Sequence, residues 1–266
     1  MMCSVCGCGT ATIAKGGDAG EQFAKASESA REAADTAASQ EALWLAIVSL
    51  EKAEKSENGA TEKLAIDERS EQLTALFIKQ YPGTDRAAQL TLRQLARSDR
   101  VDEEAIRVLQ SVSKESPVYE SSRRQLARLL YRVYRSSAAS DRAFASARYI
   151  KVADEVLACD TKAALEAKGD DVKPASEQAI GTARQILDAV LGVPSPDVSR
   201  AEKVLGTIKK IVYTNESQFK SIADELMFRE IQILVAKGDL AQADTLAEKL
   251  QSRFDSARQG TEEFAS

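Results

Sequence analysis

The chain of 266 residues contains no histidine. That removes the side chain whose ordinary pKa lies closest to neutrality and the commonest metal ligand, and it excludes catalysis by a serine or cysteine nucleophile paired with an imidazole. Proline occurs five times, tryptophan once, and aromatic residues make up 5 % of the chain. Runs of the β-branched and aromatic residues that strands favour are correspondingly scarce. There is no G-x-x-x-x-G-K-[ST] phosphate loop and no apolar stretch of the roughly 20 residues that would span a bilayer. The paired carboxylates Glu103-Glu104 and Asp170-Asp171 fall at a helix start and in a polar segment, where they favour the helix dipole or stay hydrated, and nothing marks them as an acid and a base. The expectation is a protein that is not an enzyme and has neither a cofactor nor a small-molecule substrate.

What the chain does have is a helix-forming alphabet. Hydrophobic residues make up 44 % and charged residues 29 %, enough to bury a sizeable core, with abundant Ala, Leu, Glu, Lys and Arg. An all-α fold follows. The net charge is −5 but unevenly spread: between Arg86 and Lys151 there are 14 basic and 7 acidic residues, a local +7 against −12 for the remainder. A basic middle between acidic flanks would orient an acidic partner or self-association, the alternative being a solvated face, and the overall acidity argues against nucleic acid.

Residues 1–17 are small, glycine-rich and without apolar periodicity, and read as a flexible Cys/Gly-rich tail. From Asp18 the pattern turns helical. Ser39 is the expected cap of a helix carrying Leu43, Trp44, Ile47 and Leu50, and Asn58-Gly59 ends it. Thr61 is the expected cap of the next, through Leu64, Leu73, Leu76 and Phe77 to Tyr81-Pro82-Gly83. A further helix runs to about Ser98. Asp102 is the expected cap of the one carrying Ala105, Leu109 and Val112, which stops at Ser116-Pro117. Leu126, Leu129, Leu130, Val133 and Tyr134 then mark a strongly amphipathic helix whose partner starts near Asp141 and passes Val156. Cys159, at the end of that apolar stripe, reads as a buried small hydrophobe. The array 18–159 is followed by a polar loop, 160–174, and by C-terminal helical hairpins over 175–255, with Ser195 as a cap ahead of Pro196; 256–266 reads as a tail.

In each second helix a small residue is followed by others at +4 and +7: Ala105, Leu109, Val112; Ala145, Tyr149, Val152; Ala201, Leu205, Ile208; Ala243, Ala247, Leu250. The small residue lets two helix axes approach, and the other two keep one stripe turned to the next unit. Gly238-Asp239 with Ala243 resembles the turn and second-helix alanine of tetratricopeptide-repeat proteins, and Ala105, Leu109, Val112 and Pro117 resemble that family's second-helix and closing-proline spacing. First-helix signature positions are not reproduced ahead of Gly238, and the alanines lie 40, 56 and 42 residues apart, longer than the family's roughly 34-residue unit. The resemblance implies antiparallel helical hairpins stacked as a right-handed α-solenoid, and a protein–protein interaction scaffold.

Cys3, Cys6 and Cys8 cluster in MMCSVCGCGT. Val5-Cys6-Gly7-Cys8 resembles a bacterial lipobox, which implies lipidation at Cys8 and a tether on the periplasmic side of the cell envelope; only seven residues precede Cys8, so a longer signal segment is required. Together with Phe77 to Gly83, FIKQYPG, the pattern is similar to helical-repeat lipoproteins of the outer-membrane barrel-assembly machinery. The same cysteines at CxxCxC spacing resemble the nickel-binding tail of hydrogenase-maturation GTPases, which implies a cytoplasmic metal-handling protein holding Ni or Zn. Inert tail thiols are the third reading.

Arg124, Arg128, Arg132 and Arg135 follow one another at spacings of 4, 4 and 3, opposite Leu126, Leu130 and Val133 on the same helix. On the first helix of a hairpin they would line the inner face of a solenoid. The planar fork of arginine matches carboxylates, so the expected partner is an acidic or C-terminal peptide segment; the alternative is a solvated face that pairs with neighbouring acids of the chain itself.

Overall fold

A computed structural model describes the main chain of residues 16–57, 59–97, 103–214 and 222–263. Among the described residues there are eleven α-helices, one 3-10 turn and no strand. The helices are α1 (Gly16–Glu32), α2 (Thr36–Ser56), α3 (Ala60–Gln80), α4 (Asp85–Arg97), α5 (Glu103–Gln110), α6 (Tyr119–Ser136), α7 (Arg142–Glu166), α8 (Val172–Leu191), α9 (Val198–Thr214), α10 (Ala223–Lys237) and α11 (Leu240–Glu263). Helices α1 to α4, and again α6 to α11, pack on their neighbours in chain order, as in a helical-repeat array. The chain divides into two bodies: one spans residues up to Arg100 plus Arg107–Val118, the other Val101–Ile106 plus everything from Tyr119.

In the first body the apolar stripes of α2, α3 and α4 supply the core, with Leu43, Ile47, Leu50, Leu73, Phe77 and Leu90 buried. Phe77 is gripped from both sides, with ring centroids 6.1 Å from Trp44 and 5.1 Å from Tyr81. Helices α1 and α2 approach so closely at Gly20 that a Cβ there would stand 2.7 Å from Leu50 Cγ. Ser39 is not a cap. Asp35 is, its carboxylate accepting from the Ala38 amide at 3.0 Å, because the chain reverses at Ala33–Ala34. Ser39 lies buried four residues after Asp35, exchanging hydrogen bonds of 2.9 Å with Ser27 across the α1–α2 contact and accepting from the Tyr81 hydroxyl. Helix α3 starts at Ala60 on an uncapped Gly59, so Thr61 is inside it, and of its expected stripe Leu73 and Phe77 are buried while Leu64 and Leu76 are exposed. The Asp102 cap lies outside the described residues, and α5 ends at Gln110, short of Ser116-Pro117.

In the second body α6 to α11 pack in sequence, and alternate helices also touch: α6 with α8, α7 with α9, α8 with α10. The expected small positions Ala145, Ala201 and Ala243 are all buried on α7, α9 and α11, which lets the axes close in; of the residues at +4 and +7 only Ala247 faces solvent. The Ser146 hydroxyl donates to the Ala189 carbonyl at 2.7 Å inside the α7–α8 contact. Segment 160–174 is helical over most of its length, since α7 runs on to Glu166 and α8 begins at Val172, with a 3-10 turn at Gly169–Asp171 between. Two features carry the helix onward. Asp160 and Ala164 are buried, and Pro174 sits in the first turn of α8, where its missing amide removes no helical bond. Helix α11 continues to Glu263 through most of the expected C-terminal tail, and α1 begins at Gly16. Asp197 rather than Ser195 caps α9, accepting from the Arg200 amide at 3.0 Å. The Gly-Asp stop behaves as its residues require: Gly238 takes φ +83° and closes α10 with bonds from its own amide to Val235 O (3.0 Å) and from Asp239 to Leu234 O (2.9 Å).

Candidate functional site: an arginine-walled cavity on α6, α8 and α10

The α6 helix places its four arginines in different surroundings. Arg124 reaches inward and pairs with Asp160 of α7, which is 1 % exposed and also accepts from the Thr182 hydroxyl of α8 at 2.9 Å. It is a packing device between three helices. Arg128 and Arg132 are exposed, and among the described residues Arg128 has no carboxylate partner. Arg135, on the last turn, forms one wall of a cavity of about 420 Å³.

That cavity is lined by Tyr134 and Arg135 from α6, Arg142 from the first turn of α7, Asp188 and Leu191 from α8, Gly192, and Arg229 and Gln232 from α10. Each reaches it for a local reason. Arg142 is the first residue of α7, immediately after the α6–α7 turn. Asp188 and Arg229 sit on facing turns of α8 and α10, and Arg229 Nη1 donates to Asp188 Oδ1 at 2.6 Å. The Tyr131 hydroxyl donates to Asp188 Oδ2 at 3.1 Å, and the Tyr134 hydroxyl to the Asp188 main-chain oxygen at 2.8 Å, so α6 holds both ends of this residue.

Electrostatically the cavity is positive: three guanidinium groups face one carboxylate. The neighbouring Tyr131 side chain is the main influence that raises the Arg135 pKa above the ordinary arginine value. Burial raises the pKa of the Tyr131 and Tyr134 phenols above the ordinary range against the opposing effects of Arg135 and Arg142, so both stay protonated donors. Among the described residues neither Arg135 nor Arg142 has a carboxylate within 4 Å, and the buried Nε of Arg229 has no acceptor. Such an array can hold an anion through charge-assisted, planar hydrogen bonds. The clefts between α7 and α9 differ in that Asp154 and Asp197 interleave their cations, with Arg200 bridging to Asp154.

Reasoning along the sequence reached Arg135 but not Arg142, Asp188, Arg229 or Gln232. These lie 7 to 97 residues away in the chain, and no local pattern links them. Cys3, Cys6 and Cys8 lie outside the described residues. Cys159 is exposed rather than buried, because Val156 and Asp160 occupy the inward positions on either side of it. Among the described residues there is no group of three or more Cys, Asp or Glu side chains placed to hold a metal ion, and no helix long and apolar enough to cross a membrane. No family model, curated protein or solved structure matches this chain.

Proposed function

We propose that the protein is a non-enzymatic adaptor, built of helical hairpins stacked in the tetratricopeptide-like manner, that holds an acidic segment of a partner protein in the α6–α8–α10 cavity. The observation that carries this reading is the convergence of Arg135, Arg142 and Arg229 on a space that contains a single carboxylate, Asp188. The surplus positive charge and the forked donors suit carboxylates, and the volume of about 420 Å³ falls in the usual range for ligand sites. Exposed Arg128 and Arg132 extend the positive field along α6 and would speed encounter with an acidic chain. The Val5-Cys6-Gly7-Cys8 motif supports attachment to a bacterial envelope membrane through a lipidated Cys8.

The test is fluorescence anisotropy of a labelled octapeptide of Asp and Glu with a free C-terminus, titrated with the full chain. Saturable binding that weakens at least roughly tenfold in Arg135→Gln/Arg142→Gln, and weakens as salt is raised, is the expected result. Binding that is indifferent to both arginines would reject the cavity as the site.

A further inference from the structure

Two ion pairs join α8 to α10 one turn apart, and they differ in kind. Arg184 grips Glu225 with two bonds, Nε to Oε1 at 2.6 Å and Nη2 to Oε2. This is the fork-to-fork pairing in which both partners are fully used. At Asp188 and Arg229 the polarity is reversed and the geometry is end-on: a single Nη1 donates to Oδ1, the other carboxylate oxygen is taken by Tyr131, and the buried Arg229 Nε has no acceptor among the described residues. Arg229 Nη1 also donates to Gln232 Oε1 at 3.2 Å. The second pair therefore uses the guanidinium only in part, while the first already ties the two helices together.

We infer that Asp188 is an internal competitor for the cavity, occupying Arg229 in place of a ligand carboxylate and setting the affinity with which an anionic segment enters. This rests on the cavity being an anion site, as proposed above. An incoming carboxylate would take the Arg229 Nη1 donor that Asp188 now occupies. Asp188 keeps the Tyr131 hydroxyl on Oδ2 when it yields Arg229, so it stays hydrogen-bonded although its ion pair is lost. The negative charge of Asp188 also repels any anion in the cavity. A weak or singly charged ligand is thereby disfavoured, and a segment bringing several carboxylates is favoured because it gains Arg135 and Arg142 as well.

The experiment is the same octapeptide titration with Asp188→Asn, which keeps the shape and removes the charge, with thermal unfolding confirming the fold. Binding roughly tenfold tighter than that of the native chain is expected. Arg184→Gln serves as the comparison: it breaks the bidentate tie and is expected to lower the melting temperature without tightening binding. Should Asp188→Asn unfold, Asp188→Ala replaces it, and unfolding of both would make Asp188 a structural residue and overturn the inference. If the native chain binds and depends on Arg135 and Arg142, but neither Asp188 variant binds more tightly, the competitor role falls and the anion site stands. If the native chain and both Asp188 variants all fail to bind, the site and the competitor fall together. Binding by an Asp188 variant alone would be the strongest support, because it would show the native carboxylate suppressing entry.

Discussion

The Tyr134 hydroxyl lies against Gly192 so closely that a Cβ at that glycine would collide with the phenol oxygen, while the same hydroxyl donates to the Asp188 carbonyl at 2.8 Å. Glycine is required here for close approach, since its φ of −84° is open to any residue. Gly192→Ala is expected to displace Tyr134 from the cavity wall and to cost about 1–3 kcal/mol, the usual range for overpacking. Chemical denaturation measures it, and Tyr134→Phe in the same chain should recover part of the loss by removing the colliding oxygen.

Ala34 adopts φ +59° at the end of α1, with its own amide bonded to Arg31 O at 3.0 Å and that of Asp35 to Ala30 O at 2.9 Å. This is the same closure that Gly238 performs on α10, carried out by a residue whose Cβ disfavours it. Ala34→Gly should therefore stabilise the protein by about 1 kcal/mol, seen as a rise of roughly 2–4 °C in melting temperature. No rise would mean that the added backbone freedom of glycine in the unfolded chain offsets the relief.

Arg124 and Arg128 are one turn apart on α6 and should behave oppositely. Arg124→Ala leaves Asp160 buried without its cation and should cost about 3 kcal/mol. Arg128→Ala is expected to change stability by no more than about 0.5 kcal/mol. In the peptide titration the ranking turns on position: Arg128→Glu slows association and steepens with falling salt, a rate effect read by stopped-flow.

Tyr149 is buried between α7 and α8, and burial, followed by the nearby Tyr131 and Asp188, pushes its phenol far above the ordinary value of about 10. The folded protein thus retains a proton that the unfolded chain releases above pH 10. Stability should be unaffected by this group below pH 10 and fall as pH rises beyond it toward the folded value. Melting temperatures measured between pH 8 and 11.5 should decline above about pH 10, and decline less in Tyr149→Phe.

For the cysteine segment the expected outcome is a diacylglyceryl group on Cys8 in the intact mass of the protein produced from its native locus. An unmodified terminus with stoichiometric Ni or Zn, lost when Cys3, Cys6 and Cys8 become serine, would replace the envelope assignment with the metal-handling one.

Much of the fold was legible in the residues. The 3.6-residue stripe of Leu126, Leu129, Leu130 and Tyr134, the small positions Ala145, Ala201 and Ala243, and the Gly238 stop are local properties, and they behave in the structure as their chemistry dictates. Caps were read less well at Ser39, Thr61 and Ser195, because a serine or threonine near a helix start serves equally as an interior residue bonded to a neighbouring helix, as Ser39 is to Ser27. The polar stretch 160–174 misled for a related reason: Asp160 is a core residue only because Arg124 and Thr182 arrive from two other helices to neutralise and bond it.

The sequence by itself determined that this chain is helical, where its apolar stripes run and that its middle is basic, since those follow from periodicity and charge within each segment. Which arginines share a space was decided only by tertiary structure. Arg135, Arg142 and Arg229 converge, and Arg124 is diverted into the core, because the packing of α6, α8 and α10 brings distant turns together around Asp188, and the Coulomb and hydrogen-bond terms that make a site depend on those distances rather than on order along the chain.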